Sequence, residues 1–168
     1  IGIRQNLLPI LEQFGVDLVL TGHSHVYERS FLIDKHYGLG SSLTTAQVKD
    51  IGNGRIDGTG AYTKPTLGPH GHDGAVYIVA GSSGQISPPH VLLDHPAMFV
   101  SLNQLGSLVL DIDGPKLDAV FLRETGAIAD RFAIRKGGGP AKTPPAAPTA
   151  LTVSATANST ISLSWKDH

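Results

Sequence analysis

The stretch from Ile3 to Leu20 constrains the fold more than any other part of the chain. Ile3, Leu7, Leu8, Ile10, Leu11 and Phe14 fall on one face at the 3.6-residue spacing of a helix. Pro9 fits such a helix if Asn6 is its cap and Pro9 lies in the first turn, where amides have no intrahelical partner. Gly15 stands where a left-handed C-terminal cap belongs. Val16 to Leu20 is then a short apolar run of the kind that a sheet covers on both faces. Helix, tight turn, buried strand and polar loop make one unit of an α/β sheet. In such sheets ligands bind in the loops past the carboxyl ends of the strands.

The loop after this strand carries the chemistry. It reads Gly22-His23-Ser24-His25, followed by Val26-Tyr27-Glu28-Arg29. Two histidines two positions apart on extended chain project to one side, with alpha carbons about 7 Å apart. Imidazoles at that spacing can each take one of two metal ions separated by roughly 3.5–4 Å. A helical pair would instead sit four residues apart and grip a single ion. The chain has no cysteine, which excludes a disulfide framework and a thiolate metal site but leaves the compartment open.

The remaining chain divides by pattern. From Ile33 to Asp73 glycines recur and no periodicity survives, so this segment is expected to be a functional loop or a surface excursion. Ala75 to Ala80 reads as a strand, and Gly81 to Gly84 as a tight turn beyond it. Ser107 to Ile112 alternates, Asp113-Gly114 signals a hairpin, Lys116 to Arg123 alternates again, and a last strand is expected around Arg131 to Arg135. Residues 137–148 form a glycine- then proline-rich linker. Beyond it Leu151 and Val153, then Ile161, Leu163 and Trp165, alternate with small polar residues in strand rhythm. Two strands cannot bury an apolar face by themselves, so residues 149–168 are expected to pack poorly alone.

Composition excludes some classes of function. The 168 residues are 40% hydrophobic with a net charge of −1, which gives no electrostatic reason to expect nucleic acid or an anionic membrane as partner. The longest apolar runs are too short to span a bilayer. The chain opens Ile1-Gly2-Ile3 without a signal-peptide pattern, and is expected to be a piece of something longer.

The Gly-His-x-His motif, led in by VDLVLT and followed by YERS, resembles the last metal motif of the calcineurin-like metallophosphoesterases. The likeness is greatest to the purple acid phosphatase branch. GAVYIVAGSSG is similar to that family's strand and turn near the end of the domain, and GSLVLDIDG through LDAVFLRETGAIADRFAIRK to its closing hairpins. The resemblance spans residues 1–136 and implies the C-terminal part of an α/β/β/α sandwich with closing antiparallel hairpins. The tail, 149–168, resembles the first strands of a fibronectin type III domain, truncated.

From the resemblance, His23 and His25 would ligate one metal each in a binuclear centre of two divalent or trivalent ions, with iron, zinc or manganese suited to the donors. It implies hydrolysis of phosphate esters by a metal-bound water or hydroxide. The resemblance places the family's other metal motifs, which include Asp-x-His and Gly-Asn-His, upstream of this one, so the fragment alone is expected to be inactive. The alternative is a non-catalytic binding protein on a degenerate phosphoesterase scaffold, reaching a cell surface or polysaccharide through its tail. Either way a secreted or cell-surface bacterial protein is expected.

Tyr27 and Arg29 are candidates for substrate or outer-sphere contacts, since a guanidinium matches a phosphate. The structural alternative, favoured here, has Tyr27 packed at the base of the loop and a Glu28–Arg29 pair fixing it to the scaffold. His72, spaced from His70 as His25 is from His23, is a weaker candidate for the same substrate-side role. His36, His90 and His95 read as ordinary loop residues. Ser82 and Ser83 lack the strand–nucleophile–helix setting of a catalytic serine.

Overall fold

A computed structural model describes residues 2–138 and, within the tail, the strands at 149–156 and 160–166. In chain order the elements are α1 (Gly2–Gln13), β1 (Leu18–Thr21), β2 (Tyr27–Ser30), β3 (Leu32–Ile33), β4 (Val48–Asp50), β5 (Tyr62–Lys64) and β6 (Val76–Ala80). They continue with β7 (Met98–Leu102), β8 (Gly106–Asp113), β9 (Lys116–Arg123), β10 (Ile128–Lys136), β11 (Thr149–Thr156) and β12 (Thr160–Lys166). The chain separates into two units, 1–138 and 139–168.

The first unit is built on two four-stranded mixed sheets, ordered β1-β6-β2-β7 and β5-β10-β9-β8. Each contains one parallel pair, β1 with β6 and β5 with β10, and its other pairs are antiparallel. Side chains alternate across a strand. Tyr27, Val76 and Ile78 of the first sheet meet Tyr62, Ala119, Phe121, Phe132 and Ile134 of the second in one buried core. Tyr27 stacks on Phe121 with ring centroids 4.0 Å apart. Helix, sheet and sheet thus form part of an α/β sandwich.

The helix ends as its sequence requires. Gly15 adopts φ +72°, its amide bonds Glu12 O, and the Val16 amide bonds Leu11 O. This pair of bonds satisfies two carbonyls that a helix terminus otherwise leaves unpaired. The helix starts earlier than expected, at Gly2, so Pro9 lies in its interior and Asn6 is not its cap. Proline there forfeits one backbone bond, and the helix continues through it. The apolar stripe is also less covered than its spacing predicts: Leu8 and Leu11 are partly buried, whereas Ile3, Leu7, Ile10 and Phe14 stay exposed, and the buried residue is Glu12.

β1 departs from expectation in a related way. It starts at Leu18 and lies at the edge of its sheet, with Leu20 exposed. Its continuous apolar run matches a strand flanked on both sides, but only β6 flanks it among the described residues. The 33–73 excursion, for its part, is structured. It contains β3 and β4, which pair with each other, two single 3-10 turns, and β5, which joins the second sheet. In the tail β11 and β12 pair antiparallel, Thr156 opposite Thr160, and nothing in that hairpin singles out a fibronectin type III domain.

Gly15→Ala is expected to lower the stability of the first unit by at least about 1–2 kcal/mol, the cost of a left-handed non-glycine residue. The added methyl would also lie 2.4 Å from the His70 backbone nitrogen. Urea denaturation measures this; an unchanged midpoint refutes it.

Candidate metal centre

The strand order explains the shape of the histidine loop. β1 and β2 are not neighbours, because β6 lies between them. Residues 22–26 must therefore cross the carboxyl end of β6 to connect them, spanning two inter-strand spacings of about 4.8 Å each. The crossing brings the loop backbone against Gly81, the residue that follows β6. A Cβ on Gly81 would lie 2.0 Å from Ser24 O, so only glycine fits. The Gly81 amide donates to Val26 O at 3.1 Å and the Ser87 amide to His25 O at 2.9 Å. Within the loop the Ser24 amide bonds Gly22 O and the Val26 amide bonds Ser24 O, two successive tight turns.

His23 sits at φ +72°, in the left-handed region. The pair therefore lies on a tightly turned loop, in place of the extended chain assumed from the spacing. His23 is exposed and His25 partly so, and both belong to the loop past the carboxyl end of β1, the customary ligand position of such sheets. Beneath the loop, Ser82 is fully buried and its hydroxyl has no hydrogen-bond partner among the described residues.

Tyr27 and Arg29 begin the strand after the loop and face the core, with none of their surface exposed. Arg29 Nε donates to Asp130 Oδ2 at 2.6 Å and Nη2 to Oδ1 at 2.9 Å, a bidentate pair. Its remaining donors reach Tyr62 Oη at 3.2 Å and Asn53 O at 3.2 Å. The guanidinium also lies 4.8 Å from the centroid of Phe132 and 5.0 Å from that of Phe99. Tyr27 donates its hydroxyl to Asp130 Oδ2 at 2.8 Å. Burial opposes the charge on Arg29, but the hydrogen bond and charge of Asp130 outweigh it and hold its pKa above the usual arginine value. Burial, then the charge of Asp130, push the Tyr27 phenol up.

Both side chains are thus committed to the scaffold and present no donor to a phosphate at the surface. The expected Glu28–Arg29 pair is replaced by Arg29–Asp130, since alternation along β2 turns Glu28 to the opposite face, where Ser101 Oγ donates to it at 3.3 Å. No local pattern marks Asp130 as the partner of Arg29, because the two lie 101 positions apart. An acidic residue at an inward position of an alternating strand was the available signal.

His72 is not brought to the histidine loop. It adopts φ +66°, its Nδ1 lies 3.0 Å from Asp34 Oδ1, and its amide bonds Glu12 O. Glu12, Asp34 and His72 form the one group of three metal-ligand-type side chains among the described residues. The Glu12 carboxylate is already taken by the Lys35 amide and the hydroxyls of Tyr37 and Tyr77, and Asp34 also pairs with Lys49 at 3.4 Å. This network ties α1 to the excursion and to β6. His70, by contrast, is exposed and pairs with Asp73.

His23 and His25 fit a metal in donor type, as imidazoles suit iron, zinc and manganese. They do not fit a complete centre: two donors fall short of the three protein ligands of a catalytic zinc site.

Two substitutions probe how the loop is held. Asp130→Ala should cost about 3–5 kcal/mol by stranding the buried guanidinium, and Arg29→Met with Asp130→Leu should cost less than Asp130→Ala alone. Denaturant midpoints of the variants decide it, and a double variant weaker than Asp130→Ala refutes the account. Gly81→Ala should cost about 1–3 kcal/mol by overpacking and should move the imidazole NMR resonances of His23 and His25. Unmoved resonances would mean that the loop does not rest on Gly81.

No family model matches the chain. Two uncharacterized proteins of Mycobacterium tuberculosis, from strains CDC 1551 and H37Rv, are each 36% identical to it over 93 residues, 55% of this chain. The match covers about 15% of the length of those curated relatives. Among solved structures, the purple acid phosphatase PPD1 from yellow lupin (Lupinus luteus) seeds aligns with a TM-score of 0.57 at 17% identity, over 78% of this chain and 19% of that one. At such identity the likeness is one of fold: much of this chain is folded as part of a purple acid phosphatase is.

Proposed function

We propose that this chain is part of a phosphate-ester hydrolase with a binuclear metal centre, to which His23 and His25 contribute one ligand each. The observation that carries the reading is the position of the histidine loop. It crosses the carboxyl end of a strand in a phosphatase-like sandwich and is fixed through its backbone. The two imidazoles are left at the surface to meet other groups. The metal ions would supply charge stabilisation at the phosphoryl group and an activated water. The chain's own contribution is to hold the histidines. Backbone bonds from Gly81 and Ser87 set the loop, and the Arg29–Asp130 pair anchors the strand leaving it. The remaining ligands would come from other parts of a longer parent protein.

On this reading the 168-residue chain binds Zn²⁺ or Mn²⁺ weakly through its two histidines and turns over no phosphomonoester. Paramagnetic Mn²⁺ should broaden the imidazole signals of both His23 and His25, and His25→Ala should leave the broadening at His23. Broadening centred on His72, or none at either loop histidine, overturns the ligand assignment. In the longer parent, His25→Ala should reduce phosphomonoester hydrolysis by at least about a hundredfold, the scale of about 3 kcal/mol of transition-state stabilisation. A metal-loaded parent that hydrolyses no phosphate ester would instead favour the non-catalytic binding protein.

A further inference from the structure

A cavity of about 330 Å³ lies between α1 and the outer face of the first sheet, on the side away from the core. One part of its wall is apolar, formed by Leu8, Val19, Ile33, Val79 and Ala97. Its other part gathers Arg4, His36 and His95. His36, expected from sequence to be an ordinary loop residue, is only 4% exposed, and neither ring nitrogen has a hydrogen-bond partner among the described residues.

The hydrogen-bond pattern determines what kind of group is missing. The Ala97 amide donates to His95 Nδ1 at 3.2 Å, which places the proton of the neutral ring on Nε2. That Nε2–H faces Arg4 Nη1 at 3.5 Å, a donor against a donor. Arg4 Nη1 also donates to Gly38 O at 2.8 Å, which fixes the guanidinium in place. The His36 ring lies 5.8 Å from the His95 ring, centroid to centroid, edge to face. Both His36 ring nitrogens are closed off from solvent, so that ring backs the site and does not donate into it. Two donor side chains therefore face each other with no acceptor between them, beside an apolar wall.

We propose that this cavity binds an amphipathic organic anion, its carboxylate or phosphate oxygens accepting from Arg4 and His95 and its apolar body lying against Leu8, Val19, Ile33 and Val79. A metal ion does not suit the site, because Arg4 repels a cation and His95 Nδ1 is already engaged. Water alone leaves the apolar wall unexplained, and the volume falls within the range of small-molecule pockets. Neighbouring carboxylates do not fill the role. Glu12 is taken up by Lys35, Tyr37 and Tyr77, and Asp94 makes no hydrogen bond to either ring. Burial and then the charge of Arg4 hold the pKa of both histidines below the usual value, with Gln47 and Glu12 acting the other way on His36 and Asp94 on His95. An incoming anion would relieve that repulsion. The site is independent of the histidine loop and stands whether or not His23 and His25 hold metal.

The test is titration of the purified chain with octanoate, hexyl phosphate, inorganic phosphate and the neutral alcohol hexanol, read by imidazole NMR and calorimetry. Octanoate or hexyl phosphate should shift His36 and His95 saturably. Each should bind at least about tenfold more tightly than hexanol, the scale of one charged hydrogen bond. Arg4→Gln, on an accessible helix, should weaken that binding about tenfold while leaving the circular dichroism unchanged. Hexanol binding as tightly as octanoate, affinity indifferent to Arg4, or ring signals unmoved by either tailed anion would each overturn the proposal. So would inorganic phosphate binding as tightly as hexyl phosphate.

Discussion

The Arg29–Asp130 pair is the constraint around which the first unit is arranged. It joins the two sheets across the core, from β2 to β10, where a lone charge would be untenable. Its outer donors hold Asn53 and Tyr62, so the long excursion that lacks periodicity is tied to the same point. Tyr62 in turn donates to Gly52 O at 2.9 Å, and the Ala133 amide bonds Gly54 O. A second clamp supports it at the start of β1, where Asp17 accepts from Lys64 at 2.5 Å and Lys136 at 2.8 Å. Buried pairs of this sort add little net stability over an apolar core of equal volume. What they add here is registry. They fix which residues of β2 meet which of β10, and with them the strand that leaves the histidine loop.

Legibility in the sequence followed the range of the interactions. The cap at Gly15 and the hairpin from Ser107 to Arg123 depend on neighbours a few residues away, and both were readable from glycine position and alternation. β2 and β7 were not. They are short, and their pairing across β6 and with each other is set by segments far apart in the chain. The helix starts before the position that Pro9 suggests, because the apolar spacing runs through the proline.

The candidate loop was legible in position but not in geometry. His23 and His25 were marked by residue type and by the strand before them. The turned conformation at His23 follows from the crossing over β6, and no local pattern announces a crossing. Histidines proved the least predictable class. His36 is buried beside a cavity, His72 is enlisted in a carboxylate network, and His70 sits at the surface. The sequence context of all three is the same glycine-rich loop, so only the tertiary partners separate them.

The path of the loop over β6 also orders events in time. Residues 22–26 leave a strand and enter another that are held apart by a third, and that third strand, Val76–Ala80, comes much later in the chain. The loop cannot take its shape from its own sequence or from β1 and β2 alone; it must wait until the intervening strand has inserted between them. Pairings between distant segments are slow to form. The final shape of the histidine loop should therefore arise late in folding, after the helix and the closing hairpins. A ribosome would have to release the downstream strand before the two histidines could take up their final positions.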